Sequence, residues 1–368
     1  MIKPYYIGVM SGNSLDNIDV VLVSFEGGTV TVIDCLSHGI DPEIKVKVRS
    51  VNAATTLAES ILIDNYFANA ITTAVLSLIE RNHGIAGEIA AIGSHGQTVY
   101  HDPNGPQPIS IQLGNPNLIA ARAEINVVAD FRRRDIAEGG QGAPLAPIFH
   151  EYAYASSSVD KSIDRFIVNI GGIANVSHIV PGRGLVAGFD VGPGNMLLDE
   201  NIKLALGKDF DELGAWAKSG CLLIPELEDM LADPYLLKSH PKSTGREYFN
   251  RVWISKYFDD MASPVDIQAT LTHLTACAIV NAVKALAPAG EIILAGGGVK
   301  NEFLMALIAK YASNYTVISS SDLGLNSQLV EAVTFAYLAK LHCDESRLDL
   351  RQITGAKRSY RLGVLYPA

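Results

Sequence analysis

One pattern occurs twice in this chain and limits what it can fold into. Residues 5–36 read as a strand (YYIGVM), a loop carrying a glycine (SGNSLDN), a second strand (IDVVLVSF), a Gly27-Gly28 turn and a third strand (TVTVIDCL). Residues 165–192 return to that order with RFIVNIGG, ANVSHIV, the turn PGRG and LVAGFDVG. The two stretches do not align as sequence. They repeat as architecture.

Helical and strand periodicities alternate after each opening. In the first half the spacing predicts helices over 43–52 and 57–82, a buried strand in EIAAIGSHG and a hairpin in TVYHDPNGPQPISIQLG. A helix from NPNLIAARAE, a strand in INVVADF and a helix over 146–155 follow, and the polar SSSVDKS reads as a linker. In the second half come a helix in MLLDENIKLAL, a polar, mostly helical region over 200–268 and a helix over 270–287. Strands in EIILAGGGVKN and YTVISSS, the helix LVEAVTFAYLAKLH and a strand-like tail complete it. Two such halves predict two α/β domains facing across a central nucleotide and substrate cleft, the actin, hexokinase and Hsp70 (ASKHA) architecture. The expected boundaries are 1–135 and 136–344, with a tail of about 345–368 packing back on the first domain. In that layout two hairpin loops grip a nucleotide's phosphates, and a third glycine turn, here Gly296-Gly297, supports the adenosine.

Composition narrows the partners. The 368 residues carry a formal net charge of −10, which argues against nucleic acid or an anionic membrane surface but not against an anionic small ligand. The four cysteines form no CxxC pair and no zinc spacing, so neither a disulfide framework nor a structural zinc is expected. Cys35 and Cys277 lie in apolar runs and read as buried thiols. The N-terminus lacks the apolar core of a signal peptide, and no run approaches the roughly 18 apolar residues of a spanning helix. A soluble, cytoplasmic protein is the expectation, and a homodimer is compatible with it.

Chemistry concentrates in a few places. In FDVGPGNMLLD, Asp190 ends a strand and precedes a Gly-Pro-Gly turn and a helix start. A lone carboxylate there can act as a base beside phosphate, and Gly192 and Gly194 let backbone N–H groups approach a ligand. The plain alternative is a tight strand–helix connection. In MSGNSLDNID, residues Gly12, Asn13 and Ser14 offer amides and hydroxyls to phosphate. Asp16 or Asp19 would need a cation between itself and phosphate, so one of them is a candidate to place Mg2+ through water; an ordinary hairpin is the alternative. No GxxxxGK[ST] is present, and Gly296-Gly297-Gly298 lacks GxGxxG spacing, which disfavours P-loop and dinucleotide folds. Arg132, Arg133 and Arg134 can hold a carboxylate or phosphate, although at least one belongs to a solvated charge run. Strand alternation would point the first and third one way and the second the other. His95, Gln97 and His101 lack a third metal ligand and suit hydrogen bonds to a polyol, with a core histidine as the alternative. Asn175 can reach the same place, and Glu331 opens an apolar helix whose N-terminus it suits by charge alone.

From end to end the chain resembles the anhydro-N-acetylmuramic acid kinases. The segments that carry the likeness include MSGNSLDNID, GSHGQTVYHDP, ADFRRRDIAEGGQGAPLAPIFH, NIGGIANVS, GFDVGPGNMLLD, HPKSTGREYFN, AGGGVKNEFLM, VEAVTFAYLA and ITGAKR. The resemblance implies an ATP- and Mg2+-dependent enzyme of peptidoglycan recycling. Such an enzyme adds water across the 1,6-anhydro bridge and phosphorylates O6, giving N-acetylmuramic acid 6-phosphate and ADP. It implies an ATP loop over Gly12, Asn13, Ser14, Leu15, Asp16, Asn17, Ile18 and Asp19, a general base at Asp190, and substrate contacts at Arg132, Asn175 and Glu331. The choice among the three arginines stays open. Where the family's loop reads SGTSLDGVD, this chain has Asn13, Asn17 and Ile18, and Val191 stands where a threonine usually follows the base. Asn17 tolerates positive φ and can stand in for glycine. Two other functions fit the same fold: an ordinary sugar kinase acting on a free hydroxyl, and an ATP-binding switch of the actin or Hsp70 kind.

Overall fold

A computed structural model of the chain describes all residues except 1–4, 13–14, 53, 155–162, 260, 325 and 327. It divides into two compact units, residues 1–156 with 329–368, and residues 157–328. The division falls later than the expected 135/136 and earlier than 344/345, so the helices Ala146–Tyr154 and Val330–Cys343 belong to the first unit. The expected linker SSSVDKS lies outside the described residues.

The first unit is built on β1 (Tyr5–Ser11), β2 (Asn17–Glu26), β3 (Thr29–Gly39), β4 (Ile89–Ser94), the hairpin β5 (Gln97–Asp102) and β6 (Ile109–Leu113), and β7 (Val127–Ala129). Its main sheet runs β3-β2-β1-β4-β7 and ends on the C-terminal strand Val364–Tyr366. β1, β2 and β3 are antiparallel, β4 lies parallel to β1, and β7 parallel to β4. Both faces of β1 are covered, and the period of two decides by what. Ile7 and Val9 point into a core with Phe67, Ile71, Val75 and Leu78 of the helix Leu57–Arg81. Gly8, pointing the other way, meets the helix Val330–Cys343 so closely that a Cβ would lie 1.9 Å from the Ala332 carbonyl oxygen. Gly93 of β4 does the same against the Phe335 carbonyl, also at 1.9 Å. That helix runs antiparallel to β1. Phe335 lies tilted against His95, just past the end of β4 (4.7 Å between centroids), whereas Tyr337 meets Phe25, which neighbours Tyr6 at the start of β1. Glu331 therefore sits where β1 and β4 end.

The second unit repeats the plan with β8 (Arg165–Ile170), β9 (Ile173–Val180), β10 (Gly184–Pro193), β11 (Gly290–Ala295) and β12 (Tyr315–Ser319). The order is β10-β9-β8-β11-β12: an antiparallel trio, then two parallel strands on its first member. This is the order of β3-β2-β1-β4-β7, so the repeat seen in the sequence is a repeat of topology, as the ASKHA architecture requires. The helix Pro264–Leu286 packs Ile279 and Val283 into its core.

Four expectations need correction. Residues 131–137 form a short helix, so the three arginines fan around a helix and do not alternate as in a strand. Cys35 is exposed and Cys277 half-buried, since β3 is an edge strand whose residues alternate only between exposed and half-buried; all four cysteines are free thiols. The helix expected from 270 starts at Pro264, with proline at its first turn. The helices Leu57–Arg81 and Pro264–Leu286 are long and apolar enough to cross a membrane by length and composition, against the expectation that no run is; here they are core helices. Within 200–268 the helices are short and gather around Tyr235, Phe249 and Trp253.

Candidate active site

β8, β9 and β10 lie side by side, and their register puts Asn169 opposite Asn175 and Asn175 opposite Asp190. Directly paired residues share a face. Three amide or carboxylate side chains thus form one row across the end of the second sheet. Asp190 is buried, and the segment after Tyr235 wraps its strand. Its N–H donates to the Lys242 carbonyl at 3.1 Å, its carbonyl accepts from the Tyr235 hydroxyl at 2.9 Å, and its Oδ2 accepts from the Thr244 N–H at 3.1 Å. Lys242 is buried too, its Nζ donating to the carbonyls of Tyr235 (2.9 Å) and Leu236 (3.2 Å). Burial, helped by Lys238, pushes its pKa down to about 8 against the pull of Asp190 and Asp233. Asn175 Oδ1, Ser243 Oγ and Thr244 Oγ1 are buried without a partner among the described residues.

The glycines of this unit divide by what surrounds them. Gly296 has φ +84°, and a Cβ there would meet Asn169 Oδ1 at 2.6 Å and the Ile170 carbonyl at 2.7 Å. Only glycine lets that turn pass the asparagine. Gly297 faces open space. Gly194 departs from the expectation of a free amide: its N–H donates to the Gly172 carbonyl at 2.9 Å, and the N–H of Asn195 to that of Gly171 at 2.8 Å. The turn folds back on the β8–β9 loop and uses those donors itself. At Gly192 the Leu236 side chain fills the space a Cβ would take, 2.7 Å away.

In the first unit a second polar group gathers where β1 and β4 end. Arg132 donates from Nε to His95 Nε2 at 3.0 Å and from Nη1 to the Gly142 carbonyl at 2.8 Å. Burial and this guanidinium hold His95 well below the usual imidazole pKa, so the ring is neutral, accepts through Nε2 and carries its proton on Nδ1. His101, bonded to Ser110 Oγ at 3.0 Å, is lowered to about 4 by burial and then by Arg132. Arg133 pairs with Asp130, and Arg134 with Glu138 at 2.6 Å. Of the three arginines, Arg132 alone belongs to the polar group. Around it Ser11 Oγ, Ser94 Oγ, Gln97 Oε1, His101 Nε2 and Gln141 Oε1 are buried and unpartnered among the described residues. Each such atom costs about 1–3 kcal/mol unless a polar ligand or solvent meets it, and five together suit a polyol. Glu331, half-buried, starts its helix at this end of the sheet.

The first loop is only partly as expected. Asn13 and Ser14 lie outside the described residues. Gly12 accepts from the Leu15 N–H at 3.0 Å, and Leu15, not Asn17, takes the left-handed conformation at φ 57°. The turn closes two residues earlier than the asparagine, which already opens β2. The side chains of Leu15 and Ile18 are buried in the core, leaving their backbone to face the loop. Asp16 is exposed and pairs with Lys45 at 3.6 Å. Asp19 accepts from Ser37 Oγ at 2.7 Å and is raised above the usual carboxylate range by burial. No cluster of three metal-ligating side chains occurs among the described residues.

Comparison with known proteins gives this geometry a family. The family model described as anhydro-N-acetylmuramic acid kinase matches residues 4–368. The chain belongs to the anhydro-N-acetylmuramic acid kinase family. It is 40% identical over 368 residues to the anhydro-N-acetylmuramic acid kinase of Shewanella pealeana, covering 99% of each chain. It is 41% identical over 375 residues to that of Coxiella burnetii, covering 100% of this chain and 98% of the relative. A solved structure, the activator of the 2-hydroxyisocaproyl-CoA dehydratase from Clostridium difficile with bound ADPNP, is similar at 14% identity and TM-score 0.47, over 94% of this chain and 99% of that one. As a member of the kinase family, the chain is a sugar kinase. Motif reading alone missed Lys242 and Thr244, whose backbone carbonyl and N–H hold Asp190, and the bond between His95 and Arg132. The signals were present in HPKSTG and GSHG, but their partners lie 54 and 37 residues away.

Proposed function

We propose that this anhydro-N-acetylmuramic acid kinase uses Asp190 as general base and the Arg132 group to hold the sugar. Water adds at the anomeric carbon as Asp190 accepts its proton. The bond from that carbon to O6 breaks, O6 bonds to the γ-phosphorus, and the bond from phosphorus to the β-phosphate oxygen breaks. The products are N-acetylmuramic acid 6-phosphate and ADP. The observation that carries this reading is the row Asn169, Asn175, Asp190, with the Thr244 N–H fixing one carboxylate oxygen. A buried, oriented carboxylate is what a general base needs, and such a group is worth about 10²–10⁴ in rate. On the sugar side, Arg132 answers the carboxylate of muramic acid, while Gln97, His101 and Glu331 meet hydroxyls.

We assign phosphate to the backbone of Gly12 to Asp19 and to Gly192, and the adenosine to the Gly296-Gly297 turn. Mg2+ bound with ATP would supply positive charge to neutralise the phosphates. Magnesium bound with a nucleotide needs only one or two protein carboxylates. Asp19 is the better candidate to hold its water shell, being half-buried, whereas Asp16 is exposed and paired with Lys45. Turnover in oxygen-18 water tests the reading. Label on the anomeric carbon of the product is expected; unlabelled product would mean an ordinary kinase acting on a free hydroxyl. ATP turnover indifferent to any sugar would mean a switch protein.

A further inference from the structure

We propose that the C-terminal segment 353–360 is a positioning element of the sugar site, acting on Arg132 through Asp135 and the glycine turn 139–142. This rests on the reading of Arg132 as a substrate contact. Asp135 lies on the buried side of the short helix that carries Arg132, and it is fully enclosed. Its Oδ1 accepts from the hydroxyls of Thr354 (2.6 Å) and Tyr360, and its Oδ2 from the Gly142 N–H at 2.6 Å. The Gly142 carbonyl, on the other side of the same residue, receives the Arg132 guanidinium at 2.8 Å. An unbroken chain of hydrogen bonds thus runs from Thr354 and Tyr360 through Asp135, Gly142 and Arg132 to His95.

The turn has little freedom apart from this tie. The Gln141 N–H donates to the Thr354 carbonyl at 2.8 Å and the Lys357 N–H to the Glu138 carbonyl at 2.9 Å. A Cβ at Gly140 would fall 2.2 Å from Asp135 Oδ2 and 2.7 Å from Thr354 Oγ1, so the turn and the tail close on the carboxylate with no room to spare. None of Asp135, Thr354 and Tyr360 is placed in the reacting set. Their effect on it is the orientation of one guanidinium, and a fork-shaped donor tolerates little misplacement.

The test is steady-state kinetics of Thr354→Val, which keeps shape and removes the hydroxyl, with Thr354→Ser as rescue, Tyr360→Phe as a second cut and Arg132→Lys beside them. Tyr366→Phe serves as control, since its hydroxyl ties the same tail to Asp130 (2.7 Å) but has no part in the path to Gly142. The expected result is a KM for the anhydro sugar raised about tenfold in Thr354→Val and Tyr360→Phe, with the KM for ATP unchanged. Thr354→Ser and Tyr366→Phe should stay near the parent, and Thr354→Val combined with Arg132→Lys should be no worse than Arg132→Lys alone. If Arg132→Lys raises the sugar KM and both folded tail variants leave it unchanged, the positioning role is overturned and the arginine's role stands. If Arg132→Lys leaves it unchanged, the reading beneath the proposal fails and the proposal with it. A sugar KM raised equally by Tyr366→Phe would show general loosening of the tail and would also overturn it.

Discussion

Substituting Gly93 by alanine puts the contact between helix and sheet to a quantitative test. The new methyl carbon would stand 1.9 Å from the Phe335 carbonyl oxygen and 2.6 Å from its carbon, whereas ordinary contact begins at 3.4 Å. Both atoms are helix backbone, so no side chain can turn aside. The helix Val330–Cys343 must lift by about 1.5 Å, at a cost near the upper end of the roughly 1–3 kcal/mol typical of overpacked cores. The lift also moves Glu331, at the helix start, and draws the Phe335 ring away from His95. Misplacement of about 1 Å near a reacting group can cost about 100-fold, so kcat/KM for the sugar should fall by about that factor. Urea unfolding and sugar-dependent ADP release read the two effects. Gly87→Ala, where a Cβ meets nothing within 4 Å, is the control. Gly8→Ala should behave like Gly93→Ala, and the double variant should cost less than the two together, since one lift relieves both clashes. A Gly93→Ala protein within 0.5 kcal/mol and twofold of the parent would refute the reasoning.

Asp190→Asn should keep ATP and sugar binding, measured by calorimetry, and lose at least about 100-fold in kcat; near-normal turnover would remove Asp190 from the chemistry. Asp233 accepts from the Tyr235 N–H, the Tyr248 and Tyr257 hydroxyls and the Trp253 indole N–H, so Asp233→Ala strands two buried donors, the Tyr235 N–H and the Trp253 indole. A loss of about 3 kcal/mol is expected, followed by tryptophan fluorescence. Burial lowers the His150 pKa to about 3, below the roughly 6.5 of the unfolded chain. The unfolded state then binds the proton more readily, so the stability contribution is present above about pH 6.5 and lost as pH falls towards the folded value. Between pH 7 and pH 5 the loss is about 2 kcal/mol, and His150→Gln should flatten the pH dependence of unfolding by that amount. An unchanged slope would mean that His150 is not buried as a neutral ring.

Both strand trios could be read from the sequence because period-two apolar runs between glycine turns leave few other structures open. Helix 131–137 could not, since FRRRDIA has no apolar stripe and its one inward polar residue, Asp135, is held by a segment more than 200 positions later. The true start of the Pro264 helix was hidden for a similar reason, its first turn being partly polar. At the candidate site, a carboxylate close to a glycine turn drew attention to Asp190, but the strand does not end there: β10 runs on to Pro193. The arginine choice was not, because it depends on which side chains find acids within a turn of their own helix, as Arg133 and Arg134 do. Likewise the amide of Gly194 is consumed by a loop more than 20 residues earlier, which no local motif records.

The nesting of one unit inside the other sets an order of assembly. During synthesis every strand of the inner sheet emerges before the helix Val330–Cys343 or the strand Val364–Tyr366 that complete the outer one. The part synthesised first is therefore the last to be finished. A nascent chain paused short of residue 330 has all of the inner unit, but its outer sheet still lacks the helix that covers Gly8 and Gly93, and an uncovered sheet face is prone to aggregate.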